Sequence, residues 1–222
     1  MSKQQKKTYK PAKVNPYAKK PVKKNPWPLV IVVVLCLCVL GGGAYLLLSG
    51  KDAEPSLNVT HQIEIDIANY GTVKANLYGE MAPITVENFV KLAEDGFYDG
   101  LTFHRIISGF MIQGGDPLGN GTGGSNQNIK GEFSANGVNN TLKHIRGVLS
   151  MARSSAYNSA SSQFFIMHKD SPHLDGQYAA FGMVTEGIEI VDAICANTPV
   201  TDGNGSVSRE NQPVITAIRV VE

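Results

Sequence analysis

Apolar and polar positions alternate along HQIEIDI, where Ile63, Ile65 and Ile67 interleave with Gln62, Glu64 and Asp66, the pattern of a strand with one buried face. Asn69-Tyr70-Gly71 interrupts the run as a turn, and Val73, Ala75 and Leu77 resume the same period, so the two segments predict a hairpin. Past Pro83 the period lengthens. Val86, Phe89, Val90 and Ala93 fall at i, i+3, i+4 and i+7, Pro83 suits a first helical turn, and Gly96 is placed to end the helix. A second, shorter stripe of Ile188, Val191, Ile194 and Cys195 predicts another helix, and the β-branched segment PVITAIRVVE predicts a closing strand. Between the helices, the apolar runs LTFHRII, FMIQ, GVLSMA, QFFIM and AAFGMV are separated by glycine and serine loops. Many short strands with turns between them mean a sandwich or a barrel. With two amphipathic helices, a closed β-barrel with covered ends is the economical architecture.

One apolar run is of another kind. From Leu29 to Leu48 the chain reads LVIVVVLCLCVLGGGAYLLL, twenty residues without a charge, against the ~20 a helix needs to cross the hydrocarbon of a bilayer. Nine lysines precede it and Lys51 follows closely, so the positive-inside bias places the N-terminus in the cytoplasm and the rest outside. Trp27 suits an interfacial anchor. The expected organisation is a disordered lysine-rich cytoplasmic tail over residues 1–28, a transmembrane helix over 29–48, a linker over 49–60 and a globular domain over 61–222. The protein would be a single-pass protein of the cell membrane with its domain extracytoplasmic. A cleaved secretory signal is the alternative, but the run exceeds the usual ~7 to 15 residues and no small-x-small site follows it. Either way the domain is exported.

Charge changes the picture again. The 20 basic and 19 acidic residues give +1 overall, yet residues 1–28 hold nine lysines and no Asp or Glu. From residue 51 onward 11 basic face 19 acidic residues, a net of −8, which argues against nucleic acid as partner of the folded part. Cys195 is the one cysteine outside the apolar run that holds Cys36 and Cys38, so no disulfide can form within the domain.

Three familiar chemistries fit poorly. Gly119-Asn-Gly121-Thr-Gly123-Gly124 satisfies G-x-G-x-x-G, but a dinucleotide site needs a helix to begin there and SNQNIKGEFSANG has no apolar period. The five histidines, His61, His104, His144, His168 and His173, show no metal-binding spacing, so each is expected to be solvated or hydrogen-bonded. There is no G-x-S-x-G, and a serine triad would require an Asp and a His brought close by the fold. What remains is FHRIISGFMIQGGD. Arg105, inside a strand pattern and flanked by apolar residues, must meet either a carboxylate or a functional pocket. Composition alone favours a structural ion pair. Gln163, in SSQFFIM, poses the same question.

Together FHRIISGFMIQGGD, NGTGG, GVLSMA, SSQFFI and LDGQYAAFG resemble the cyclophilin family of peptidyl-prolyl cis/trans isomerases, in the family's order and spacing over roughly residues 61 to 222. The resemblance implies a mainly β protein, a closed eight-stranded antiparallel β-barrel capped by two α-helices, here preceded by the one N-terminal transmembrane helix. It implies that Arg105 is catalytic, with Gln113 orienting it and the substrate carbonyl. The proline pocket would lie at Phe110, Met111, Ala152, Phe165 and Leu174 with Gln163 beside them, and His173 and Tyr178 complete the substrate-binding set. No metal and no cofactor are implied. The partners would be proline-containing polypeptides, with the membrane held through residues 29–48, no nucleic acid, and the domain a monomer. Many members have tryptophan at His173, histidine at Tyr178 and asparagine at Arg153, and bacterial-type members show similar replacements. The expected function is isomerisation of X-Pro bonds in exported or surface proteins. A reading from another class is a non-enzymatic module that uses the same groove to hold proline segments or assemble a complex on the membrane surface.

Overall fold

Ile63, Ile65 and Ile67 on one strand and Val73, Ala75 and Leu77 on the next are buried, and the residues between them are at least partly exposed. This alternation produces the antiparallel pair β1 (His61–Ile67) and β2 (Gly71–Leu77), in register from His61 opposite Leu77 to Ile67 opposite Gly71. The connecting turn passes through Asn69 at φ 66°, a left-handed conformation that asparagine tolerates better than most L residues. The computed structural model describes residues 57–221. The tail, the apolar segment 29–48 and residues 49–56 of the linker lie outside the described residues.

The apolar runs become β3 (Phe103–Ile107), β4 (Met111–Gly114), β5 (Val148–Met151), β6 (Phe164–Met167) and β7 (Ala180–Glu186), and the C-terminal run becomes β8 (Ile215–Val221). All eight strands form one sheet in the order β3-β4-β6-β5-β7-β2-β1-β8, every neighbouring pair antiparallel. The sheet curls into a half-barrel. The end strands approach at one corner, where Thr102 bridges Val214, Phe103 N donates to Pro213 O at 3.0 Å and Ile215 N donates to Leu101 O at 2.8 Å. The sheet is thus not the fully closed barrel that the sequence predicts, and the reason lies in the edge of β3. Ile106 N donates to Gly205 O and His104 O accepts from Val207 N, so a loop, not β8, occupies that edge. Gly205 lies so close to the Ile106 backbone, at φ +80°, that a Cβ would collide with the Ile106 carbonyl.

Among the described residues, two α-helices cover the sheet. In α1 (Pro83–Glu94), Val86, Phe89, Val90 and Ala93 are buried as their spacing requires. Phe89 packs against Tyr98, Phe164 and Phe181 with ring centroids 5.0, 5.3 and 5.1 Å away. The start of α1 has no capping side chain of its own. Glu132, buried and distant in sequence, accepts from Ile84 N at 3.1 Å and Thr85 N at 2.7 Å, satisfying two orphan donors and meeting the positive end of the helix dipole. In α2 (Ile188–Asn197), Val191 and Ile194 are buried, and Ile188 and Cys195 pack partly buried against the same core.

β5 and β6 break the half-buried rule, for all four residues of each are buried. Leu149, Met151, Phe164 and Ile166 face the core beneath the helices, whereas Met111, Val148, Phe165 and Met167 face outward into a second apolar cluster with Leu174 and Ala180. A single turn of 3-10 helix, Pro172–Leu174, helps cover that outer cluster.

Candidate active site

Antiparallel register lines up one row of side chains across five strands. Arg105 on β3 pairs with Gln113 on β4, Gln113 with Phe165 on β6, Phe165 with Ser150 on β5, and Ser150 with Ala180 on β7. Residues paired in this way share one face of the sheet, and here it is the outer face carrying the second apolar cluster. Phe110, Ala152 and Tyr178 pack partly buried against that cluster. Together these residues wall a cavity of about 220 Å³ lined by Phe110, Met111, Ala152, Phe165, Leu174 and Tyr178, with Arg105, Gln113 and Arg153 at its polar side.

Arg105 meets no carboxylate among the described residues, so the ion pair that composition favoured is absent. Its Nε donates to Asn204 O at 2.9 Å and its Nη1 to Gln113 Oε1 at 3.2 Å. Both acceptors are neutral, so the positive charge is held in place without being cancelled. These bonds use two of the five N–H donors of a guanidinium. Gln113 Nε2 donates to Gln163 Oε1 at 2.9 Å, and Gln163 Nε2 donates to the carbonyls of Gly121 at 3.1 Å and Gly123 at 2.7 Å. A second cavity of about 220 Å³ adjoins the first and includes Gln113, Ala152, Arg153 and Gln163 in its wall.

The glycine-rich loop behind Gln163 has its own internal anion. Asp116 accepts from the backbone N–H of Leu118, Asn120 and Gly121 at 2.8, 3.1 and 2.6 Å. Burial alone would raise this carboxyl, but donors from Leu118, Asn120, Gly123 and Gly121 outweigh burial and hold it below the ordinary carboxylate range. The loop that matches G-x-G-x-x-G is thus wrapped around a side chain of the same protein.

Nine of the ten residues expected at the site line one or both cavities. The tenth, His173, is exposed and stacks on Phe110 with centroids 5.7 Å apart, at the rim of the slot. Phe110 is steadied from the other side, since Gly109 N donates to His168 Nδ1 at 2.7 Å and His168 N to Phe110 O at 2.9 Å.

The fold also assembles a serine, a histidine and an aspartate. His144 Nδ1 lies 3.1 Å from Asp175 Oδ1, and its Nε2 lies 3.0 Å from Ser150 Oγ. An ionised carboxylate only accepts, so Nδ1 carries the proton and Nε2 accepts from the hydroxyl. Ser150 is fully buried and lines neither cavity, so no substrate carbonyl can reach it. The group acts as a brace, because His144 stacks on Phe165 at 6.1 Å and Asp175 follows Leu174. His104 departs from expectation more sharply. It is 5% exposed and neither ring nitrogen has a hydrogen-bond partner among the described residues, whereas the sequence predicts a solvated or bonded histidine. Burial pushes its imidazole down, with Asp116 opposing and Arg105 adding to the effect.

Sequence reasoning missed the Asn204 carbonyl, the Ser150–His144–Asp175 brace and the packing of Arg153 over the rings of Phe133, Tyr157 and Tyr178. A carbonyl carries no side-chain signal. The brace joins segments up to 31 residues apart.

Residues 62–220 match the family described as cyclophilin-type peptidyl-prolyl cis-trans isomerase. A peptidyl-prolyl cis-trans isomerase of Synechococcus elongatus is 48% identical over 126 residues, which are 56% of this chain and 82% of that protein. Peptidyl-prolyl cis-trans isomerase B of Bacillus subtilis is 46% identical over 138 residues, 62% of this chain and 87% of that protein. A cyclophilin-type isomerase of Cryptosporidium parvum, crystallised in the presence of the dipeptide Ala-Pro, superposes with a TM-score of 0.64 at 34% identity, covering 72% of this chain and 99% of that one.

Proposed function

The chain belongs to the cyclophilin-type peptidyl-prolyl cis-trans isomerases, and on that premise we propose that Arg105 is its catalytic residue and the adjoining apolar slot its proline site. One observation carries the assignment: a guanidinium held by two neutral acceptors, with no carboxylate partner among the described residues, at the wall of an apolar cavity.

Rotation about an X-Pro bond takes tens to hundreds of seconds unaided, because amide resonance must be broken against a barrier of ~20 kcal/mol. No bond to carbon is made or cut, so the catalyst needs neither nucleophile nor proton relay. It must grip the pyrrolidine ring and favour the twisted amide. Phe110, Met111, Phe165 and Leu174 supply the apolar grip. Twisting localises a lone pair on the prolyl nitrogen, and an N–H of Arg105 can donate to it only then, which lowers the transition state and leaves the ground state nearly unchanged. Gln113 fixes the plane of the guanidinium and, with its own amide, orients the substrate carbonyl. An acceleration of about 10⁶ would ask ~8 kcal/mol of these contacts together.

The substrates we propose are proline-containing segments of exported or surface proteins, acted on by a bacterial-type enzyme tethered through residues 29–48. The uncharged run in 29–48 and the nine lysines before it support this reading. Catalysed cis/trans exchange of a proline peptide tests the chemistry. Protease added to intact cells bounded by one membrane tests the topology: the domain should be cut and the lysine tail spared, and a protected domain would reverse the orientation.

A further inference from the structure

The second cavity differs in chemistry from the proline slot it adjoins. To the shared Gln113, Ala152 and Arg153 it adds the hydroxyl side chains of Thr122, Ser154, Ser159 and Ser161. Among the described residues Arg153 is the one charged residue in its wall, and no Asp or Glu lines either cavity.

Arg153 is held by ring faces and backbone carbonyls. Its guanidinium carbon lies over the rings of Phe133, Tyr157 and Tyr178, 5.1, 5.1 and 4.6 Å from their centroids. Nε and Nη2 donate to Gln177 O at 3.1 and 2.9 Å, and Nη1 to Ser154 O at 2.9 Å and Ser155 O at 3.4 Å. Those bonds use four of five donors, leaving one N–H on Nη2. Every partner among the described residues is a carbonyl or a ring face and none carries a net charge, so within them the cation has no anionic partner. Ser161 in the same wall makes no side-chain hydrogen bond among the described residues, so its hydroxyl is a second unused donor.

We propose that this cavity selects an acidic side chain, aspartate or glutamate, a few residues along the substrate from the isomerised proline, and that Arg153 sets the preference. The inference rests on the proline reading of the first slot. Adjacent cavities that share three wall residues lie within reach of an extended peptide's neighbouring side chains, at ~3.3–3.6 Å per residue. A carboxylate there would meet a wall that holds the Arg153 cation, one unused N–H and the unused Ser161 hydroxyl. A neutral glutamine meets the same donors without the charge, and a lysine is repelled. The chain from residue 51 onward is otherwise acidic, with a net charge of −8 from 11 basic and 19 acidic residues. Arg105 and Arg153 place two positive charges in the walls of the cleft on an otherwise acidic chain, which favours an acidic segment there.

The test uses the full-length chain and a peptide series of fixed length with one proline, in which Ala, Gln, Glu or Lys is placed in turn at each of the nearest positions on either side. The reading is kcat/KM from catalysed cis/trans exchange. At one position Glu should exceed Gln by roughly three- to tenfold, with Lys below both, and the advantage should shrink as salt is added. Arg153→Gln should erase the difference between Glu and Gln, and Arg153→Lys should retain part of it. If Arg153→Gln fails to fold, the wild-type ranking and its salt dependence decide alone. Equal rates for Glu and Gln at every position, or a Glu advantage that survives Arg153→Gln, would overturn the proposal. Failure to accelerate even the all-alanine peptide would instead remove the isomerase reading on which it rests.

Discussion

Arg105 and Gln113 are direct cross-strand partners on β3 and β4, and the guanidinium Nη1 donates to the Gln113 amide oxygen at 3.2 Å. The direction of that bond is set from outside the pair. Carbonyls only accept, so Gly121 O and Gly123 O oblige Gln163 to turn its amide nitrogen toward them. Its oxygen then accepts from Gln113 Nε2, and the Gln113 oxygen is left for Arg105. We expect Gln113→Ala to lower kcat/KM roughly tenfold or more through loss of this charge-assisted bond, with an unchanged circular dichroism spectrum. Full activity in that variant would mean that Arg105 is positioned by Asn204 alone.

Glu132 holds the start of α1 from 48 residues away, through Ile84 N and Thr85 N. Removing it leaves two helix donors without their carboxylate in a largely buried site. Glu132→Ala should therefore lose about 1 to 3 kcal/mol of stability, read as a lower urea midpoint at unchanged slope. Glu132→Gln, which keeps an acceptor, should lose less.

Activity and stability should respond differently to pH. Arginine does not titrate between about pH 6 and 9 and no general acid or base is invoked, so kcat/KM should be nearly flat there. Stability should decline on acidification. Burial pushes both His104 and His144 down, opposed at His104 by Asp116 and at His144 by its bond to Asp175. With folded imidazoles below their unfolded value of ~6.5, the unfolded chain takes up protons that the folded one refuses. Their contribution is complete above ~6.5, falls as pH drops below it and levels off below the folded values. Thermal midpoints measured downward from pH 7.5 should show this slope, and His104→Leu should flatten part of it. A bell-shaped rate profile with retained fold would implicate a titrating group such as His104 in the chemistry.

The elements were legible in the sequence wherever one face of a segment is buried. Ile63, Ile65 and Ile67 mark β1, and Val86, Phe89, Val90 and Ala93 mark α1, because burial of a single face imposes the period of the backbone on the residue types. In VLSM and FFIM both faces are buried and the period vanishes, so those runs showed their length and not which residues face the slot. The edge of β3 was illegible for a different reason. It pairs with the backbone of Gly205 and Val207, and main-chain bonds leave little trace in residue type. At the site, the strand pattern singled out Arg105 as an arginine in need of a carboxylate or a pocket, and composition favoured the carboxylate. The resemblance of several motifs in register supplied the slot residues, and the register row from Arg105 through Gln113 to Phe165 is the physical reason they come together. Arg153 gave no such signal, since its neighbours Phe133, Tyr157 and Tyr178 are brought to it by three separate loops.

Exchange spectroscopy on a proline peptide decides whether Arg105 acts on the twisted amide. With the wild-type chain, cis/trans interconversion should be accelerated. With Arg105→Ala, kcat/KM should fall at least ~100-fold while binding of the ground-state peptide weakens far less, and Arg105→Lys should recover little because an ammonium lacks the planar fork. A folded Arg105→Ala variant with near wild-type exchange, or a wild-type chain that binds the peptide without accelerating exchange, would mean that Arg105 does not act on the twisted amide.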